Sequence, residues 1–213
     1  MFLVGLAATI SEKLLCHTLR FDFSGNGHSE GAWKFCDYNG DYQDLCSIID
    51  FVRDLGCEIA FVVGHSQGSF SVLKHASHFE SIPLYVNLAG RFVRKNEFDP
   101  SNVFSTDQIS ELNSKGSFIA VHRGQRVFKI TKGDIINRCA SDISETVSRI
   151  EAKVLTIHGG QDETVNVRNA HYFAETIKNH VIHIIPEANH NFNGFRFVDE
   201  VVDKIKEVMI YLY

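Results

Sequence analysis

An α/β fold with a mostly parallel sheet flanked by helices is what this sequence of 213 residues predicts, on three observations. Short β-rich runs alternate with segments of helical periodicity, the pattern of strand–helix–strand units whose strands run parallel. One of those runs, EIAFVV, has the apolar character of a strand covered on both faces. The alternation breaks only between residues 91 and 150, as an insertion into a single domain would break it.

The elements follow in order. Residues 3–15 read as a helix, and TLRFDF, 18–23, as a strand ended by the turn SGNG. A loop rich in aromatics and glycine comes next, with Trp33 and Tyr38. In 41–55, Leu45, Ile48, Ile49, Val52 and Leu55 recur at spacings of three and four, Asp41 and Asp44 sit near the positive helix end, and Gly56 stops the run. A strand over 58–63, a helix over 67–79 and a strand over 82–89 continue the alternation, with Pro83 tolerated at a strand start. Within 91–150 only VFKIT, 127–131, reads as a strand, after the turn GQR; Phe98, Phe104, Phe118 and Phe128 are too many for a disordered linker. Then come strand 153–159, helix 166–178, strand 180–186 and a last helix, 195–212, whose apolar stripe runs from Val198 to Leu212. The expected organisation is a core of 1–90 and 151–213 with a cap insertion at 91–150.

Composition excludes several classes. With 44% hydrophobic residues, 22% charged and a net charge of −5, the chain is neither disordered nor basic enough to suggest a nucleic acid or an anionic membrane as partner. Eleven histidines occur, but His75 and His78, which share a helical face, lack the H-E-x-x-H pattern, so no metal is expected. Five cysteines without C-x-x-C read as free thiols in a reducing, cytoplasmic compartment. The apolar opening MFLVGLAATI lacks a basic n-region and runs on into SEKLL, unlike a signal peptide, and no stretch reaches the roughly 20 apolar residues of a membrane span.

Chemistry concentrates at GHSQG, 64–68, between the strand EIAFVV and a helix. That context is a nucleophile elbow, where a tight strand-to-helix turn lifts Ser66 clear of its backbone and the N–H of Gln67 can meet an oxyanion. The competing reading is a glycine-bounded turn with an incidental serine. A hydroxyl needs a base, and the base an orienting acid. KVLTIHGGQDETV offers Asp162 after a strand, and HVIHIIPEANHNF offers His190 after the next. Singly, Asp162 could cap the following helix and His190 could be a surface histidine; together they stand in the order the elbow requires.

These motifs, with TLRFDFSGNGHSEG, HGGQDETV and NHNF, resemble the esterase/lipase and serine aminopeptidase-like branch of the α/β-hydrolase superfamily, which includes cinnamoyl-type esterases. The resemblance spans nearly the whole chain. It implies Ser66 as nucleophile, His190 as general base and acid, Asp162 as orienting acid, Gln67 in the oxyanion hole, a small acyl or ester substrate and no cofactor. Two departures stand out: Ser69 replaces a frequent glycine, and the chain begins after the central strand and H-G loop that carry the second oxyanion donor in the family. An N-terminally truncated hydrolase, or a non-catalytic ligand-binding relative, is therefore expected as the alternative to a fully active esterase.

Overall fold

The computed structural model describes residues 2–79, 81–122 and 126–212. Helix α1 (Phe2–Leu14) and helix α2 (Tyr38–Asp54) precede strand β1 (Phe61–His65), helix α3 (Gly68–Ala76) and strand β2 (Leu84–Leu88). A 3-10 turn at Pro100–Asn102, helix α4 (Thr106–Lys115), strands β3 (Ser117–His122) and β4 (Arg126–Thr131), helix α5 (Lys132–Ala140) and helix α6 (Ser144–Ser148) follow. Strand β5 (Lys153–Gly159), helix α7 (Arg168–Thr176), strand β6 (His180–Ile185) and helix α8 (Phe195–Ile210) complete the chain.

Strands β1, β2, β5 and β6 form one sheet in that order, every neighbouring pair parallel. Side-chain alternation along its strands sorts the core into two layers. Leu84, Val86, Leu88, Leu155 and Ile157 point to the face covered by α1 and α8, where Leu6 and Ile10 meet Val201, Val202 and Ile205. Tyr85 and Val154 point to the opposite face, against Leu45 and Ile49 of α2, Val72 and Leu73 of α3, and Phe173 of α7. Burial on both faces explains why these strands are apolar on consecutive residues.

Most predicted elements are present with ends moved by a few residues. Helix α2 begins three residues early, at Tyr38, because Asp37 caps it, its side chain accepting the Gly40 N–H. Strand β1 starts three residues later and ends two residues later than expected, so Ser66 follows it directly.

One expectation is overturned. Residues 18–23 form no strand: Thr18, Leu19, Arg20 and Asp22 are exposed, while Phe21 and Phe23 turn inward with ring centroids 5.0 Å apart. A strand exists through its ladder, and β1 pairs with β2 alone among the described residues, so no strand lies between β1 and this run. The carbonyls of Asp22 and Phe23 accept the Ser29 hydroxyl and the Asn26 N–H, and exposure lets water reach the rest of this backbone. The opening residues are helical and do not take the vacant pairing edge.

Residues 91–150 are more regular than their composition suggests. Strands β3 and β4 form an antiparallel hairpin whose turn, at 123–125, lies outside the described residues. Capping boxes at Ser105/Gln108 and Thr131/Asp134 start α4 and α5. Phe104, Leu112, Phe118 and Ile130 form a small core of their own, joined by Phe35 and Phe98.

Among the described residues, no helix is long and apolar enough to cross a membrane. The five cysteines are unpaired.

Candidate active site

Ser66 stands at the C-terminal end of β1 with φ +55°, a conformation that costs a non-glycine residue energy and survives only where its surroundings impose it. They do so from both sides: the Ser66 N–H donates to Leu88 O at 2.8 Å, and its carbonyl accepts the Ser69 N–H at 3.1 Å. The two flanking glycines are not equivalent. A Cβ on Gly64 would lie 2.5 Å from Gly68 O, so the turn closes only with hydrogen there. A Cβ on Gly68 would meet only the Phe23 ring at 3.8 Å, an ordinary contact, so the turn's own sterics do not demand this second glycine. Ser69 fastens the same junction, its buried hydroxyl donating to Gly64 O at 2.8 Å.

Asp162 leaves the end of β5 in a loop. Its Oδ1 accepts the backbone N–H groups of Thr164 (2.8 Å) and Val165 (2.7 Å). Its Oδ2 accepts His190 Nδ1–H at 2.7 Å, with His158 Nε2 at 3.2 Å. It does not cap α7, whose Arg168 N–H is taken by the Asn166 side chain. His190 follows β6 in a loop held by Asn189 Oδ1, which accepts the N–H groups of Asn191 and Asn193, both at 3.2 Å. With Nδ1 protonated toward Asp162, His190 Nε2 is the acceptor for the Ser66 hydroxyl at 3.0 Å. Three strand ends thus bring together all three side chains singled out in the sequence. The Gln67 N–H makes no hydrogen bond among the described residues.

Two histidines at this site were not foreseen. His65 donates Nε2–H to the His190 carbonyl at 2.8 Å, and its ring lies 5.0 Å from that of His190. Burial pushes its pKa down, keeping it a neutral donor. His158, buried and likewise shifted down by burial, gives Nε2–H to Val165 O at 2.9 Å. Each stands inside a motif, GHSQG and HGGQD; the partner of His65 comes from a loop 125 residues away, whereas that of His158, Val165, lies seven residues on in the same loop.

A cleft of about 680 Å³ opens beside Ser66, with Phe23, Trp33, Lys34, Asp41, His65 and Gln67 among its walls. His75 and His78 do other work: His75 Nδ1–H donates to Tyr85 OH at 2.9 Å, and His78 Nδ1–H to Lys74 O at 2.8 Å.

The chain has the α/β-hydrolase fold: a parallel sheet between two helical layers, with an elbow serine, an acid and a histidine at successive strand ends. Est1E from Butyrivibrio proteoclasticus, solved with ferulic acid bound, superposes with a TM-score of 0.76 at 22% identity, over 99% of this chain and 83% of its own. The α/β-hydrolase domain-containing protein 10 from mouse gives 0.72 at 18% identity, over 100% and 85% of the two chains. A monoacylglycerol lipase from Paleococcus ferrophilus gives 0.63 at 20%, over 91% and 82%. No family model matches the sequence, and no curated protein does.

Proposed function

We propose that this protein is a serine hydrolase that cleaves a carboxylic ester or related acyl compound through an acyl-enzyme on Ser66. The observation that carries the reading is the unbroken relay Ser66 Oγ–His190–Asp162, with contacts of 3.0 and 2.7 Å. Ser66 Oγ attacks the carbonyl carbon while His190 Nε2 takes its proton. The Gln67 N–H donates to the oxyanion, and the positive end of α3 favours the same charge. Asp162 holds the ring and stabilises the imidazolium. His190 then protonates the leaving alcohol, the carbonyl re-forms, and the acyl group stays on Ser66. Water, deprotonated by the same ring, attacks the acyl carbon, releasing the carboxylic acid and returning the proton to Ser66. Residues 91–150 serve as the cap over the substrate. Ferulic acid bound to one structural neighbour makes hydroxycinnamate esters a rational first panel.

One observation favours a second reading, a ligand-binding protein with little turnover: among the described residues the Gln67 N–H is the one oxyanion donor identified, and lacking one donor costs about 10²- to 10³-fold in rate. A fluorophosphonate probe decides between them. Hydrolase function requires an adduct on Ser66 that disappears in Ser66→Ala and falls sharply in His190→Ala. Folded protein that takes up no probe would exclude it.

A further inference from the structure

Asp41 has no part in the relay, yet it is a carboxylate only 8% exposed in the wall of the cleft that holds Ser66. Burial raises its pKa, with the like charges of Asp37 and Asp44 adding to the effect and the Gln67 side chain opposing it. A buried charge is costly to keep unless a bonded partner offsets it. Its partner is unusual: Asp41 Oδ2 accepts Gln67 Nε2–H at 2.6 Å, and Gln67 is otherwise an exposed side chain.

We propose that Asp41 is a positioning residue which, by tethering the Gln67 side chain, fixes the backbone of the residue whose N–H meets the oxyanion. The inference rests on the hydrolase reading above. Gln67 is the hinge between a residue at φ +55° and the first turn of α3. Its N–H is unpaired among the described residues, and its side chain gives α3 no cap. The 66–67 peptide is held at its carbonyl by the Ser69 N–H at 3.1 Å, and the Gln67 carbonyl accepts the Phe70 N–H at 3.0 Å; at the N–H end of that peptide the hold comes from the Gln67 side chain, through its bond to Asp41. Bonds to an ionised partner are about twice as strong as neutral ones.

Asp41 is a firm anchor. Its own N–H is bonded to Asp37 O at 2.9 Å, and its helix packs Leu45 and Ile49 against Val72 and Leu73 of the helix that Gln67 begins. The tether also removes a flexible amide from the mouth of the cleft. An oxyanion donor works because it is aimed before charge develops, and an error of about 1 Å costs up to about 10²-fold.

The test is steady-state hydrolysis of a p-nitrophenyl ester by the full chain, with active sites counted by fluorophosphonate titration. Asp41→Ala and Gln67→Ala should each lower kcat about 10-fold with KM changed less than about twofold. The double variant should lose no more than either single one, because both cut the same tether. Asp41→Asn should recover most of the loss, since its amide oxygen still accepts from Gln67. An unchanged kcat per titrated site in Gln67→Ala, or additive losses in the double variant, overturns the proposal. Position 67 is exposed, so Gln67→Ala decides the question by itself should Asp41→Ala not fold. Wild-type protein that fails to take up the probe would instead count against the hydrolase reading, which separates the two failures.

Discussion

Replacing Asp162 by Asn keeps shape and volume and removes one acceptor, and the structure allows no orientation that hides the loss. Three donors converge on this fully buried side chain: the N–H groups of Thr164 and Val165 on Oδ1 and His190 Nδ1–H on Oδ2, with His158, whose Nε2–H goes to Val165 O, 3.2 Å from Oδ2. With its oxygen toward the two backbone groups, the new amide presents NH₂ to both rings. His190 can stay bonded only by moving its proton to Nε2, where it can no longer accept from Ser66. That tautomer change is worth about 10⁴-fold in turnover, or about 5 kcal/mol in the barrier. With the amide reversed, His190 keeps its tautomer, but NH₂ faces two backbone donors. The first orientation costs at most one donor its acceptor and the second costs two, at about 1–3 kcal/mol each, so up to about 6 kcal/mol of stability is lost. Fluorophosphonate labelling rates give the first quantity and urea unfolding followed by circular dichroism gives the second. Asp162→Asn protein that labels within tenfold of wild type would refute the relay.

Three further outcomes follow from the same geometry. Gly64→Ala places a methyl 2.5 Å from Gly68 O and 2.7 Å from Gly68 C, backbone atoms that cannot yield cheaply, so unfolding experiments should show a loss of about 1–3 kcal/mol, whereas Gly68→Ala, 3.8 Å from Phe23, should stay within about 0.5 kcal/mol of wild type. Ser69→Ala removes the donor shared by Gly64 O and Leu88 O and should cost about 1–2 kcal/mol in the same assay. His75, 2% exposed, has its pKa lowered from 6.5 to about 4 by burial first and the Arg53 charge second. The unfolded chain therefore binds a proton between pH 6.5 and 4 that the folded one does not, and stability should fall as pH drops through that window, by up to about 3 kcal/mol from this group. His75→Phe should flatten that part of a pH–stability curve, and an unchanged slope would show that the ring does not titrate there.

Legibility differed from element to element for physical reasons. Strand β5 matches its predicted span, 153–159, because a run of apolar residues ended by paired glycines has one local solution. Helix α8 was clear because its stripe repeats over four turns. The elements of 91–150 were largely missed: helices of five to ten residues carry too few turns for a period to emerge, although the capping boxes at Ser105 and Thr131 were there to be read. The site was legible in three residues, since a serine between glycines after a strand, then an acid, then a histidine, each mark a local turn. Asp41 and His65 were not, because what defines them is a partner elsewhere in the fold; His158 was not either, although its partner Val165 lies only seven residues on.

Period, turn residues and the order of strand and helix are written within windows of about ten residues, so the sequence by itself determined the class of fold and the three chemical groups at strand exits. Tertiary structure alone decided which strands pair. It left residues 18–23 outside the sheet, because a ladder needs a neighbour and a chain segment cannot encode whether one is present. It also brought His190 to Ser66 across 124 residues and to Asp162 across 28, contacts that depend on parallel strands lying side by side in one order and on nothing within reach of the local chain.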